Sequence, residues 1–266
     1  MRRALIWSVV VACASVSARA NDKWESGIFG SDDTSNTPNA LVHGRTQTHD
    51  LEGTGSPADQ DWIRVGTRVR QSYELRIFST SVHIVTPGSG PCIAGFCAEF
   101  ERVNAGGTVL QSPVAMEGDD HVVGMRWTSG VTGFTFARVR GGSGVAWSAN
   151  DEYTIELTNT TLFAPRFNNT GLQVTVLVLQ NATTDAVAGS IDFWSAAGAL
   201  LHGETFEIAP RGVLALNTSS IAAANGQSGA LSISHDAGYG ALTGKAVAVE
   251  PATGFTFDTI VAPLPR

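Results

Sequence analysis

The chain is short of charge and of cysteine, and it has no long apolar run beyond its first residues. Charged side chains make up 15% of it, against about 25% in average globular proteins. Together with 43% hydrophobic residues, this excludes disorder throughout, because disordered chains are rich in charge and poor in apolar groups. The formal net charge is −7. An acidic chain lacks the bulk attraction on which phosphate-backbone contacts rest, so no nucleic-acid partner is expected. No run of 18 apolar residues follows the N-terminus, so no transmembrane segment is expected in the mature chain. Long amphipathic helical patterns are also missing, which argues against catalytic α/β folds that alternate strands with helices.

Residues 1–20 read as a signal peptide. Arg2 and Arg3 form a positive start, Ala4–Ala14 is a short apolar stretch, and Ala18-Arg19-Ala20 offers small residues at a cleavage site near Ala20. The expected location is therefore secreted or periplasmic. A lipoprotein reading with acylated Cys13 is disfavoured, because that signal would be shorter than the usual ~15–30 residues. Cleavage after Ala20 lowers the net charge from −7 to −10 and leaves two cysteines, Cys92 and Cys97. In an exported chain this close pair reads as a small-loop disulfide. Such a bridge is worth about 2 kcal/mol and pins a connection without holding a fold together. Metal binding by the pair is the weaker reading, since no further Cys or His ligand follows at zinc-like spacing.

Glycine is abundant, with 29 residues. Its clusters at 88–90, 105–107 and 140–144 separate short alternating runs, the pattern of β-turns between strands. Tyr73, Leu75 and Ile77 alternate with polar neighbours, as do Tyr153, Ile155 and Leu157. Residues 21–38 show no periodicity and are expected to form a flexible arm. A second unit is expected at 159–266, with seven short strands. One of them, Leu172–Gln180, is apolar on both faces, as a central or doubly covered strand would be. A single helical turn is expected at Ser219–Ala224, closed by Asn225-Gly226. The fold class that follows is all-β, with one sandwich at 39–158 and an immunoglobulin-like sandwich at 159–266.

Asn39-Ala40-Leu41 with Gly44, Ala58-Asp59-Gln60-Asp61-Trp62-Ile63-Arg64-Val65, and Gln71-Ser72-Tyr73-Glu74-Leu75 resemble the bacterial pre-peptidase C-terminal (PPC) domain. The closing strand of that family corresponds to Asp151–Leu157, so the resemblance spans roughly 36–158. Arg68-Val69-Arg70-Gln71 stands where the family more often has a turn glycine, and 92–139 matches poorly. The resemblance implies a jelly-roll-like sandwich, exported and non-catalytic, of the kind appended to secreted hydrolases or surface proteins. The segment from Pro165-Arg166-Phe167-Asn168-Asn169 to Gly254-Phe255-Thr256-Phe257-Asp258 resembles a recurrent C-terminal β-domain of exported bacterial proteins.

Three sets of residues are candidates for chemistry. Asp59, Asp61, Asp119, Asp120 and Asp151 could supply calcium oxygens from loops at one end of a sandwich, although no contiguous calcium loop exists. The plainer alternative makes Asp59 a turn residue, with Asp61 bonding local backbone amides and Trp62 packed inside. Trp127, Trp147 and Trp194 are the rings to examine for stacking on a carbohydrate or anchoring an extracellular protein; core packing is the competing role. The six histidines are scattered, and Gly226-Gln227-Ser228-Gly229-Ala230 lacks the last glycine of a nucleophile elbow. The function expected is therefore binding or surface association without catalysis. The alternatives are an accessory module for a secreted hydrolase, or a hydrolase whose carboxylates converge only in the fold.

Overall fold

The computed structural model describes residues 24, 32–51, 59–79, 83–85, 97–116, 119–141, 148 and 150–266. Among the described residues 62% are strand and 2% helix, an all-β structure, as the alternating runs predict. The first unit holds β1 (Ala40–Leu41), β2 (Arg45–Asp50), β3 (Gln60–Thr67), β4 (Ser72–Phe78), β5 (His83–Val85) and β6 (Cys97–Val103). It continues with β7 (Val109–Gln111), β8 (Val114–Met116), β9 (Asp119–Thr128), β10 (Gly133–Gly141) and β11 (Glu152–Asn159). One sheet runs β1-β3-β10-β6-β5 with β7 added on β6, and the other runs β2-β11-β4-β9-β8. Strand alternation sends Ile63, Val65, Phe100 and Val139 of the first sheet against Leu75, Ile77, Met125 and Ile155 of the second, all fully buried. Each such side chain contributes about 1.5–3 kcal/mol by leaving water. The result is a two-sheet sandwich around one core.

Residues 32–38 are part of this sandwich and not of a free arm. Asp32 and Thr37 are buried, Trp62 N donates to Asp32 O at 2.7 Å, and Gln60 Nε2 donates to Asp33 O at 2.8 Å. A buried carboxylate requires fixed surroundings, which holds the segment against β3. The expected signal peptide, residues 1–20, and the rest of the expected arm, apart from Trp24, lie outside the described residues.

The second unit holds β12 (Leu162–Asn168), β13 (Val174–Asn181), β14 (Val187–Ser195), β15 (Leu200–Ile208), β16 (Val213–Asn217), β17 (Ser228–His235), β18 (Leu242–Glu250) and β19 (Phe255–Pro263). These form one continuous sheet, β15-β14-β17-β12-β19-β18-β13-β16, nearly closed around a core of Phe167, Leu177, Leu179, Ile191, Phe193 and Ile233. The two faces of the expected sandwich are thus halves of a single curled sheet, joined where β12 and β19 pair over only two residues. Pro165 helps the sheet bend: it has no N–H for the ladder, and the register of β12 slips between Ala164 and Phe167. At Gly229 a Cβ would lie 1.8 Å from Trp194 O, so only glycine lets β14 and β17 approach this closely. Strand β13 is paired on both sides, next to the edge strand β16, and has one buried face, with Leu177 and Leu179 buried and Val174, Val176 and Val178 half-buried. The expected helical turn is a 3-10 turn at Thr218–Ser220, where Ser219 N donates to Asn217 Oδ1 at 3.1 Å.

Only Thr160 and Thr161, both buried, link β11 to β12. Ser72 gathers this junction: its N donates to Thr161 Oγ1 at 2.8 Å, and its O accepts from Thr160 N at 2.9 Å. Its hydroxyl oxygen accepts from Thr160 Oγ1 at 2.8 Å and from His235 N at 3.2 Å. Glu74 pairs with Arg126 at 2.8 Å and also accepts from Tyr239 N at 3.2 Å. The two units are therefore held together by hydrogen bonds as well as by the linker.

Candidate functional site

The β3–β4 turn shows how local sequence builds the junction. Arg70 occupies the left-handed region at φ 65°. A side chain there costs about 1–2 kcal/mol. Its guanidinium reaches across to Asp192 Oδ1 at 2.8 Å, which offsets the strain. Desolvation raises the pKa of Asp192 from its ordinary value, opposed by the Arg70 charge.

Beside this junction lies an open cleft of 780 Å³. Its apolar wall includes Leu41, Val42, Phe134, Phe163 and Leu264. Phe134 is 63% exposed and Val42 58%, so large apolar groups face solvent at its rim. The floor is polar and already ordered: Asn159 Nδ2 and Tyr73 OH donate to Gln71 Oε1 at 2.8 and 3.1 Å, and Arg68 N donates to Tyr73 OH at 2.8 Å. His43 accepts from Asn159 N at 3.0 Å through Nδ1, and its Nε2 donates to Pro265 O at 3.1 Å, which seats the chain end at the same edge. An apolar concavity with a few converging polar groups has the makings of a ligand site.

A second feature sits inside the first sandwich. Inward positions on β2 and β3 carry His49 and Asp61 in place of apolar residues, and the segment before β1 brings in Asp32. All three side chains are fully buried. His49 Nδ1 lies 3.5 Å from Asp32 Oδ2 and 3.8 Å from Asp61 Oδ1. Tyr153 OH donates to Asp61 Oδ2 at 2.5 Å, and Asn39 Nδ2 donates to Asp32 Oδ2 at 3.4 Å. The imidazole is stacked between Tyr153, at 5.4 Å and 9°, and Trp24, at 5.5 Å and 20°. Burial pushes Asp61 up to about 6, against the pull of His49.

The residues singled out from sequence are dispersed. Asp61 does not bond local amides but turns inward to Asp32 and His49, while Trp62 takes the outer face with Val103 and Phe136. Asp59 is half-buried at the start of β3, and Asp151 Oδ2 caps a turn by accepting from Ser148 N and Oγ at 2.7 and 2.9 Å. Asp119 and Asp120 lie on β9, with side chains outside the described residues. The calcium set is thus not assembled among the described side chains. Trp127 is 9% exposed, stacked on Tyr73 at 5.5 Å, with Arg102 4.6 Å from its ring. It is a core residue. Trp194 is half-buried and donates from Nε1 to Ser232 Oγ at 2.7 Å. Trp147, Cys92 and the side chain of Cys97 lie outside the described residues, and no disulfide occurs among those described. Among the described residues no helix is long and apolar enough to cross a membrane.

Sequence reasoning missed Asp32, His49 and Tyr153 as partners of Asp61. The inward alternation of Gln47, His49 and Leu51 was an available signal; Asp32 carried none, because its segment has no period. No protein-family model matches this chain, and no curated protein matches it either.

Proposed function

We propose that this chain is an exported, non-catalytic binding protein that takes a carbohydrate or an extracellular protein segment in the cleft between its two units. The observation that carries this is the 780 Å³ cleft, with Phe134 and Val42 exposed at its rim above an ordered polar floor. Exposed aromatic rings suit stacking on a sugar or anchoring a partner, and fixed polar groups lower the cost of ordering on binding. The signal-like residues 1–20, the resemblance of 36–158 to the pre-peptidase C-terminal domain, and a Cys92–Cys97 bridge closed after export belong to the same proposal. Among the described residues that line the cleft there is no carboxylate, so acid–base glycoside hydrolysis gains no support from them.

The test is a binding screen of the exported chain against immobilised polysaccharides and secreted proteins, run in parallel with Phe134→Ala. Loss of an exposed anchor should weaken binding at least about tenfold, equivalent to ~1.4 kcal/mol. Absence of binding across the panel, or binding unaffected by Phe134→Ala, rejects the cleft. Capture of a secreted hydrolase that is sensitive to Phe134→Ala would instead define an accessory module.

A further inference from the structure

We propose that Asp32, His49 and Asp61 hold one divalent transition-metal ion of the zinc type, as a staple between the two sheets of the first sandwich. The argument begins with the tautomer of His49. Gln47 Nε2 donates to Ala40 O at 3.1 Å, which leaves Gln47 Oε1 facing His49 Nε2 at 3.4 Å. An amide oxygen only accepts, so Nε2 carries the proton. Nδ1 then presents its lone pair toward Asp32 Oδ2 and Asp61 Oδ1. Carboxylate oxygens and an imidazole lone pair repel one another unless a cation lies between them. The second nitrogen of a metal-bound histidine ordinarily donates to a carbonyl or carboxylate, the role Gln47 fills here.

Two cations could meet this need, a proton or a metal ion, and the distances separate them. Nδ1 stands 3.5 and 3.8 Å from the two carboxylate oxygens, farther than Nε2 stands from Gln47 Oε1 at 3.4 Å, so the proton sits on Nε2. Two ligands each ~2.0–2.2 Å from a tetrahedral ion lie roughly 3.4 Å apart, close to both values. The oxygens support the same conclusion independently. Asp32 Oδ1 and Asp61 Oδ1 are buried with no hydrogen-bond partner. Two carboxylates out of water demand compensating positive charge, which a dication supplies. Unbonded Oδ1 of Asp32 is a further oxygen for the ion. The imidazole selects the chemistry: nitrogen donors suit zinc and its neighbours, whereas calcium takes oxygen throughout.

The staple joins three separate pieces of chain: the segment before β1, β2 of one sheet and β3 of the other. The test uses the full exported chain, stripped with chelator under partial denaturation, then refolded with Zn²⁺, with Ca²⁺ or without metal, and desalted. We expect one equivalent of zinc to be retained, with a higher Tm than the metal-free protein, and no retention of calcium. His49→Ala and Asp61→Asn should lose the zinc and the Tm gain. His202→Ala should keep both, because His202 and Glu204, 3.0 Å apart and exposed, form the obvious adventitious surface pair. Should the core variants fail to fold, cobalt loading of the unaltered chain decides. Visible d–d bands without thiolate charge transfer support the site, and their absence overturns it. One equivalent of calcium in place of zinc, zinc unaffected by His49→Ala, or no retained metal would each overturn it as well.

Discussion

The first sandwich closes one end of its core with Asp32, His49, Asp61 and Tyr153, whereas the curled sheet of the second unit fills its interior with Phe167, Phe193, Ile191, Leu177 and Leu179. In the second unit the buried charged and titratable side chains, Asp192 and His235, lie toward the junction, with Asp192 paired to Arg70 and His235 N bonded to Ser72. Both units follow the same alternation of strand side chains. They differ in what occupies the inward positions. Apolar side chains stabilise a core wherever they meet, but buried polar ones do so only with exact partners, so the first unit is the one whose interior specifies particular neighbours.

That difference can be broken most strongly from the apolar side. Phe193→Ala removes a fully buried ring packed edge-on against Phe167 at 5.4 Å, and should cost about 3–5 kcal/mol. Tyr153→Phe, in the first unit, keeps the ring and deletes only the hydroxyl that donates to Asp61. It should cost about 1–3 kcal/mol, because a buried acceptor is left unsatisfied. Chemical denaturation of both variants checks the order. Equal losses would mean that the polar cluster is as constraining as the apolar core.

A pH series sharpens the contrast at the junction. Burial lowers the pKa of His235 below its ordinary 6.5, opposed by Asp236 and Glu74 and reinforced by Arg126. The unfolded chain therefore takes up a proton on this histidine before the folded one does. Stability from this group is complete above about pH 6.5 and is lost as the pH falls below it. His235→Gln should flatten that part of the profile relative to the unaltered chain, as read from denaturation midpoints between pH 5 and pH 7.5. An unchanged slope would remove His235 from the account. The smallest effect belongs to the surface of the second unit. Lys245 and Asp258 pair at 2.7 Å but are each about half exposed, so Lys245→Ala should change stability by less than about 1 kcal/mol. A larger loss would show that the outer face of β18 and β19 is covered by something in solution.

Much of the architecture was legible before the fold was seen. Tyr73, Leu75 and Ile77 in β4, and Tyr153, Ile155 and Leu157 in β11, are inward residues of half-buried strands, and period-2 alternation is a local property that survives without tertiary information. The barrel-like closure of the second unit was not legible. It depends on the short β12–β19 pairing and on the slip at Pro165, and neither changes the alternation of the flanking strands. Aromatic residues show the same limit. Trp127 and Trp194 could be assigned to strands, but whether a strand face looks to solvent or to another sheet is decided by its neighbours.

By itself, the sequence determined the class of fold, the positions of many strands, and the scarcity of helix, because turn glycines and side-chain alternation act over a few residues. Only the tertiary structure decided which inward side chains meet. Alternation assigns Asp61 and His49 to a face but names no neighbour, and Asp32 comes from a segment with no pattern at all. Their convergence, the seating of Ser72 under the linker and the cleft beside Phe134 arise from sheet packing between residues distant in the chain. Such contacts are long-range, and no local signal in the chain encodes the partner.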